Sequence, residues 1–271
     1  MMLPSAEIMP EKGNGIPLEA LEASLEENIE TTLPPLTLPN QQIDNVKVGE
    51  CVNITNILIP KQMENNVSMG HEKMDILMSG DGATPSTACL VTGMPGTGKS
   101  TLMLQLADSI TKQGHIAIYN SCEESMVQVS RVAKRLKLQH GFFISSHRSV
   151  FDLISHAKKI QNQNPDKQIF LFVDSLQTIE IPNVEYDERG TVVCDEHGQP
   201  LKRKGRPIGG SSVQVEVTRL LTKWCKDTYG VLFLIGQVNK DGDFAGRQAI
   251  KHWIDAHLHL DINRERYSAD Y

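Results

Sequence analysis

Two patterns alternate through most of this chain: short runs of consecutive apolar residues, and longer segments in which apolar positions recur every three or four residues. The runs suit strands buried on both faces of a sheet, and the periodic segments suit helices laid over them. Strands are predicted at 88–92, 116–119, 142–144, 169–173, 231–235 and 258–262, and helices at 100–112, 125–136, 150–161 and 212–226. Alternation of this kind predicts an α/β domain with a mainly parallel sheet flanked by helices. Ahead of it, 68–78 reads as a short helix closed by Gly80-Asp81-Gly82. The spacing of Val46, Val48, Val52 and Ile54, with the run Ile57-Leu58-Ile59, predicts one or two lead-in strands.

The first 40 residues break the pattern: they are rich in Glu, Pro and Leu with almost no aromatic content, and predict a mostly disordered tail. Within the tail Leu18, Leu21, Leu25 and Ile29 recur at helical spacing, which suits either an amphipathic helix docked on a neighbour or a solvated segment. The expected division is an acidic tail over 1–40, a lead-in over 41–64 and a folded core over 65–271. Charge changes the picture once it is located. Residues 1–40 hold seven acids against one base, while the remaining 26 acids and 26 bases balance, so the net charge of −6 does not exclude a nucleic-acid partner for the core. No apolar run approaches the length of a membrane span, and the first residues lack a secretory signal. The five cysteines include no C-x-x-C pair, so neither a disulfide framework nor zinc is expected, and a reducing, cytoplasmic location is.

The chemistry centres on one stretch, Gly93-Met94-Pro95-Gly96-Thr97-Gly98-Lys99-Ser100, between a predicted strand and a helix that opens at Thr101. Glycines let successive backbone N–H groups face one concavity, and the helix N-terminus adds partial positive charge to it. This is a phosphate loop for a nucleotide, with Gly93 to Thr101 as the nucleotide-binding set, Lys99 for the β- and γ-phosphates and the Ser100 hydroxyl for Mg²⁺. The apolar run 169–173 delivers Asp174 at its end, the second expected Mg²⁺ group. The strand over 116–119 leads to Cys122-Glu123-Glu124-Ser125; Glu123 is the candidate to orient the attacking water, and Glu124 reads as a first-turn acid of the next helix.

Taken together, Ser68-Met69-Gly70-His71-Glu72-Lys73-Met74-Asp75, the phosphate loop, Ser121-Cys122-Glu123-Glu124-Ser125 and Val173-Asp174-Ser175-Leu176-Gln177-Thr178 resemble the ATPase core of the RadA/Sms branch of RecA-like proteins. The resemblance continues in order through Ser211-Ser212-Val213-Gln214-Val215, Gly236-Gln237-Val238-Asn239-Lys240-Asp241-Gly242, Ala245-Gly246 and His252-Trp253-Ile254-Asp255, and covers roughly 65–262. It implies a RecA-like fold, ATP with Mg²⁺, a homo-oligomeric ring (hexameric) or filament, and single-stranded or branched DNA as partner in recombination and repair. It also implies that Gln237 senses the γ-phosphate. The family's four-cysteine zinc module, its Lon-protease-like domain and its Lys-Asn-Arg-Phe-Gly motif are not found, and slow hydrolysis is expected if that motif supplies the cation for a neighbour's ATP. The alternatives are a RecA-fold ATPase with a non-DNA role and an assembly protein gated by nucleotide that barely hydrolyses it.

Two segments are DNA-contact candidates. The first, 182–212, is long for a compact domain and carries Lys202, Arg203, Lys204 and Arg206 in five positions, suited to phosphate neutralisation, although its first half is acidic. The second, 239–250, contains Lys240, Phe244 and Arg247, and Phe244 offers a ring for base stacking. The Asn239-x-Asp241-x-Asp243 spacing lacks the Gly and Glu of a calcium loop. His252, His257 and His259 complete no metal-ligand spacing and are expected to be structural.

Overall fold

The computed structural model describes residues 51, 53–182, 211–236 and 248–261. Six strands form one all-parallel sheet. They are β1 (Ala88–Gly93), β2 (Ile116–Ser121), β3 (Phe143–Ser145), β4 (Ile169–Asp174), β5 (Val231–Ile235) and β6 (Ala256–Leu260), in the order β3-β2-β4-β5-β1-β6. The helices are α1 (Glu72–Met78), α2 (Lys99–Lys112), α3 (Met126–Arg135), α4 (Val150–Gln163) and α5 (Ser211–Thr228). The expected parallel α/β sheet flanked by helices is what the chain forms.

The near-continuous apolar runs follow from burial on both faces, since successive side chains in a strand point to opposite sides. One face carries Cys89 and Val91, Ala117 and Tyr119, Phe170 and Phe172, and Val231 and Phe233, packed with buried residues of α1, α2 and α3. Phe172 and Phe233 stack there at 5.1 Å between ring centroids. The alternate residues, among them Leu90, Ile118, Leu171 and Leu232, meet the other face, where α4 and α5 pack against β4, β5 and one another. Trp224 of α5 is buried in that layer. Among the described residues no helix is long and apolar enough to cross a membrane.

Three local expectations are corrected. Ile57, Leu58 and Ile59 form no strand; they follow a short 3-10 turn (Ile54–Asn56) and are exposed, because a β-prone run needs a partner edge and the described residues supply none here. The helix expected over 68–78 begins only at Glu72. Before it, the Asp75 carboxylate accepts from Ser68 Oγ (2.7 Å) and Met69 N (2.5 Å), bending 68–71 into a turn. That turn lies so close to α2 that a Cβ at Gly70, where φ is +70°, would enter the Ser109 side chain. Strand β6 runs two residues earlier than expected, because Asp255 clamps its start to β1: Asp255 N donates to Ala88 O (2.8 Å) and its carboxylate accepts from Ala88 N (2.8 Å). Lys226 of α5 donates to the same carboxylate at 2.6 and 2.7 Å.

Candidate nucleotide site

The phosphate loop joins β1 to α2 at the C-terminal end of the sheet, where open parallel sheets bind ligands. Its first glycine has two reasons to be one. Gly93 has φ +151°, and a Cβ there would run into the Leu260 carbonyl of β6. Gly98 holds the N-cap of α2 in the left-handed region at φ +89°. Between them the Thr97 hydroxyl donates to Met94 O at 2.9 Å and closes the turn.

Lys99 folds back over this loop, its Nζ donating to Gly93 O (2.7 Å) and Met94 O (3.0 Å). Only 9% of the residue is exposed. Burial holds its pKa below the ordinary lysine value, against the opposing pull of the Asp174 and Glu123 carboxylates. The three predicted residues Lys99, Asp174 and Glu123 are therefore electrostatic neighbours, although they come from three separate elements.

Strand register explains how. Ser121 pairs with Asp174, and Asp174 with Ile235, which in turn pairs with Val91 just before the phosphate loop. The ends of β2, β4, β5 and β1 thus lie side by side. Cys122 N donates to Asp174 O at 3.0 Å, carrying the β2–β4 ladder one step past the strand and fixing where Glu123 begins. The Ser175 hydroxyl then donates to Glu123 Oε1. Ser175 is 1% exposed, follows Asp174 through a cis peptide, and has its carbonyl bonded by Thr178 Oγ1 at 2.6 Å.

Glu124 is not in the first turn of α3, contrary to expectation. Ser125 is the N-cap, in a reciprocal box with Gln128: Ser125 Oγ accepts from Gln128 N (3.3 Å), and Gln128 Oε1 accepts from Ser125 N (2.8 Å). A serine followed three residues later by glutamine outcompetes an acidic residue for the cap position, and this leaves Glu124 before the helix. There its carbonyl accepts from Ser121 Oγ at 2.9 Å.

Two contributors were missed in the sequence. Besides Ser175, the Tyr119 phenol donates to Asp174 Oδ2 at 2.6 Å, and the Ser100 side chain lies beside the same phenol. Burial, reinforced by the Asp174 charge, pushes the pKa of Tyr119 far up, so the group is a neutral donor. The signal was present: a buried tyrosine in an apolar strand needs a partner for its hydroxyl. Ser100 and Asp174 offer hydroxyl and carboxylate oxygens around one point, the donor type that Mg²⁺ takes. The end of β2 is held further by Asn120, whose Oδ1 accepts from Ser145 Oγ and His147 N (both 2.8 Å) while its Nδ2 donates to His147 O (2.9 Å).

The remaining site candidates, Gln237, Lys202, Arg203, Lys204, Arg206, Lys240, Phe244 and Arg247, lie outside the described residues. Their anchor points do not. Pro182 precedes the first of these segments and stands eight residues beyond Asp174, after a 3-10 turn (Leu176–Thr178), and Gly236 precedes the second and donates its N–H to Val91 O at 2.9 Å. Of the histidines set aside as metal ligands, His257 and His259 both bond Thr92 Oγ1, at 2.7 and 2.9 Å, tying β6 to β1.

Comparison with known proteins bears on the family and the fold. The family described as "ATPase: KaiC" matches residues 67–270. The DNA repair protein RadA of Aquifex aeolicus is 30% identical over 205 residues, 75% of this chain and 40% of that protein. The protein of the same name from Streptococcus pneumoniae is 30% identical over 187 residues, 68% of this chain and 38% of that protein. The chain spans less than half the length of these relatives. Among solved structures, one described as an ATPase domain has a TM-score of 0.56 at 12% identity, covering 95% of this chain and 87% of that one. A DnaB-like replicative helicase has a TM-score of 0.55 at 13% identity, covering 96% and 59%.

Proposed function

The chain belongs to the KaiC family of RecA-fold ATPases, and from that premise we propose that it is a DNA-dependent ATPase of the RadA/Sms type, acting on single-stranded or branched DNA. The observation that carries this reading is the origin of the second long segment. The residues after Gly236 follow directly on β5, the strand wedged between Asp174 and the phosphate loop, so one candidate DNA-contact segment begins beside the nucleotide site. The first segment begins after Pro182, past a 3-10 turn (Leu176–Thr178) and past Glu180, whose backbone bonds the Arg148 carbonyl and the Val150 amide. The 30% identity to RadA proteins supports DNA as the partner.

In this reading the backbone N–H groups available between Gly93 and Thr101, Pro95 having none, cradle the phosphates. Lys99 exchanges the Gly93 and Met94 carbonyls for the β- and γ-phosphates, whose negative charge offsets the burial that disfavours its ammonium. Ser100 and Asp174 are the residues that would hold Mg²⁺, which when bound would supply charge stabilisation to the phosphate oxygens. Glu123 orients a water in line with the γ-phosphorus and takes its proton as the bond to the β-phosphate oxygen breaks, giving ADP and phosphate. Gln237 reports the γ-phosphate to the segment after β5. A second copy of the chain completes the site with a cation, a contribution on the order of 10³–10⁵ in rate in other nucleotidases.

The test is the ATPase rate with and without a single-stranded oligonucleotide, at several protein concentrations. Stimulation by DNA and turnover per subunit that rises with concentration are expected. Stimulation should fall when Lys202, Arg203, Lys204 and Arg206 are neutralised together. A rate indifferent to DNA would overturn the DNA reading in favour of a RecA-fold ATPase with another role.

A further inference from the structure

Tyr119 sits at a junction that the nucleotide reading does not use. Its side chain projects from the same sheet face as Phe172 and Asp174, because Tyr119 pairs with Phe172 and Ser121 with Asp174 in parallel register. Two residues of strand separate the level of Tyr119 from that of Asp174, about 6.6 Å. Only a long side chain with a polar tip spans that distance along the sheet. Tyrosine does so, and its phenol meets Asp174 Oδ2 at 2.6 Å. Helix α2 roofs this face, and the residue of its first turn that lies beside the phenol is Ser100, the second of the helix. One hydroxyl therefore stands between the two side chains read above as the Mg²⁺ pair. The ring that carries it is 1% exposed and wedged between Phe142 and Phe172, at 6.2 and 6.3 Å between centroids.

We infer that Tyr119 is a positioning residue for the metal pair, holding the Asp174 carboxylate through Oδ2 so that its orientation beside Ser100 is set before Mg²⁺·nucleotide arrives. The inference rests on the reading of Ser100 and Asp174 as Mg²⁺ groups. A carboxylate at a strand end has a rotatable side chain and, in this site, a competing attraction, since the Asp174 charge acts on the Lys99 ammonium. If Asp174 swung to Lys99, it would quench the cation meant for phosphate and withdraw a ligand from the metal. The phenol removes that option at no electrostatic cost, because it adds a hydrogen bond and no charge. Outer groups that orient a metal-binding carboxylate commonly alter metal affinity by about 10–100-fold when removed.

The test uses the full chain and a fluorescent ATP analogue, reading nucleotide binding rather than turnover while Mg²⁺ is titrated from an EDTA-treated start. Tyr119→Phe keeps the buried ring and deletes only the hydroxyl. It is expected to raise the Mg²⁺ midpoint about tenfold, to leave metal-free nucleotide binding unchanged, and to keep the wild-type Tm within a few degrees. Asp174→Asn is the reference: it should raise the midpoint at least as much, and adding Tyr119→Phe to it should change nothing more. If Asp174→Asn shifts the midpoint and Tyr119→Phe does not, the positioning role is overturned while the metal reading stands. If neither shifts it, the metal reading falls and the role of Tyr119 with it. If Tyr119→Phe weakens binding equally with and without Mg²⁺, the tyrosine shapes the pocket and does not orient the metal pair, which also overturns the inference.

Discussion

Removing the hydroxyl of Ser175 tests one of the bonds that hold Glu123. Ser175→Ala deletes one oxygen from a residue that is 1% exposed and leaves the Thr178 hydroxyl bond to the residue 175 carbonyl in place. The strand ends stay stitched, because Cys122 N still reaches Asp174 O. What is lost is the donor to Glu123 Oε1. Hydrogen bonds to charged groups contribute about 1.5–3 kcal/mol. Glu123 is exposed, so water replaces the donor in part, and the low end of that range applies. The loss then corresponds to roughly a tenfold fall in kcat. Nucleotide affinity should not move, since the substitution leaves the Thr97 and Lys99 bonds that shape the phosphate loop in place. The assay is steady-state ATP hydrolysis for wild type, Ser175→Ala, Glu123→Gln and the double variant, with nucleotide Kd and Tm measured alongside. Glu123→Gln should bind ATP and fail to turn it over, and Ser175→Ala should cost nothing further in that background. A Ser175→Ala enzyme with unaltered kcat, or one that loses the same factor without Glu123, would refute the reasoning. Normal turnover in Glu123→Gln would show instead that another residue orients the water.

Lys99→Ala removes the ammonium now bonded to the Gly93 and Met94 carbonyls, and two charge-assisted contacts at about 1.5 kcal/mol each predict ATP binding weaker by roughly a hundredfold, read by fluorescent-nucleotide titration. Asp108 of α2 carries a pH signature for stability. Burial pushes its pKa up, but bonds from the His140 ring (3.0 Å) and from the His140 and Gln139 amides outweigh burial and hold it below the usual carboxylate value. A depressed carboxylate stabilises the fold above its unfolded pKa of about 3.9 and loses that contribution as pH falls through the folded value. The Tm gap between wild type and Asp108→Asn should therefore be full at pH 6 and close below about pH 4; a gap that persists under acid would show that the aspartate acts by packing alone.

Which parts were legible follows from how local each cause is. The phosphate loop could be read because its chemistry is contiguous: Gly93, Gly98, Lys99 and Ser100 act within one turn, and Gly93 and Gly98 show the backbone angles that demand glycine. Asp174 could be read because an apolar run ending in a carboxylate needs only its own strand as context. The strands themselves follow from burial on both faces. The failures are all long-range or competitive. Ile57-Leu58-Ile59 has the composition of a strand and, among the described residues, lacks an edge to join. The turn at 68–71 is bent by Asp75, a residue that a helical pattern would absorb without notice. Glu124 looked like a first-turn acid until Ser125 and Gln128 claimed the cap. Ser175 joined Glu123 across 52 residues of sequence, and no periodicity encodes such a pairing.

The most telling displacement is at the end of β2. Apolar character stops at Tyr119, and the pattern ends the strand there, yet pairing runs on through Asn120 and Ser121 to Val173 and Asp174. Two polar residues in a buried parallel strand cost free energy unless every group is bonded. Each of them is: Asn120 grips the 145–147 chain through both ends of its amide, and Ser121 bonds the Glu124 carbonyl. With Tyr119 on Asp174, three successive residues each commit their polar group to a different neighbour of the site. Hydrophobic patterning marks where a strand serves the core. Here it falls silent two residues early because those residues serve the site instead, fixing β3, β4 and the Glu123 turn relative to one another. A strand that outlasts its apolar run is thus itself a sign of where local rules yield to function, and in this fold it points at the carboxylates before any comparison with other proteins does.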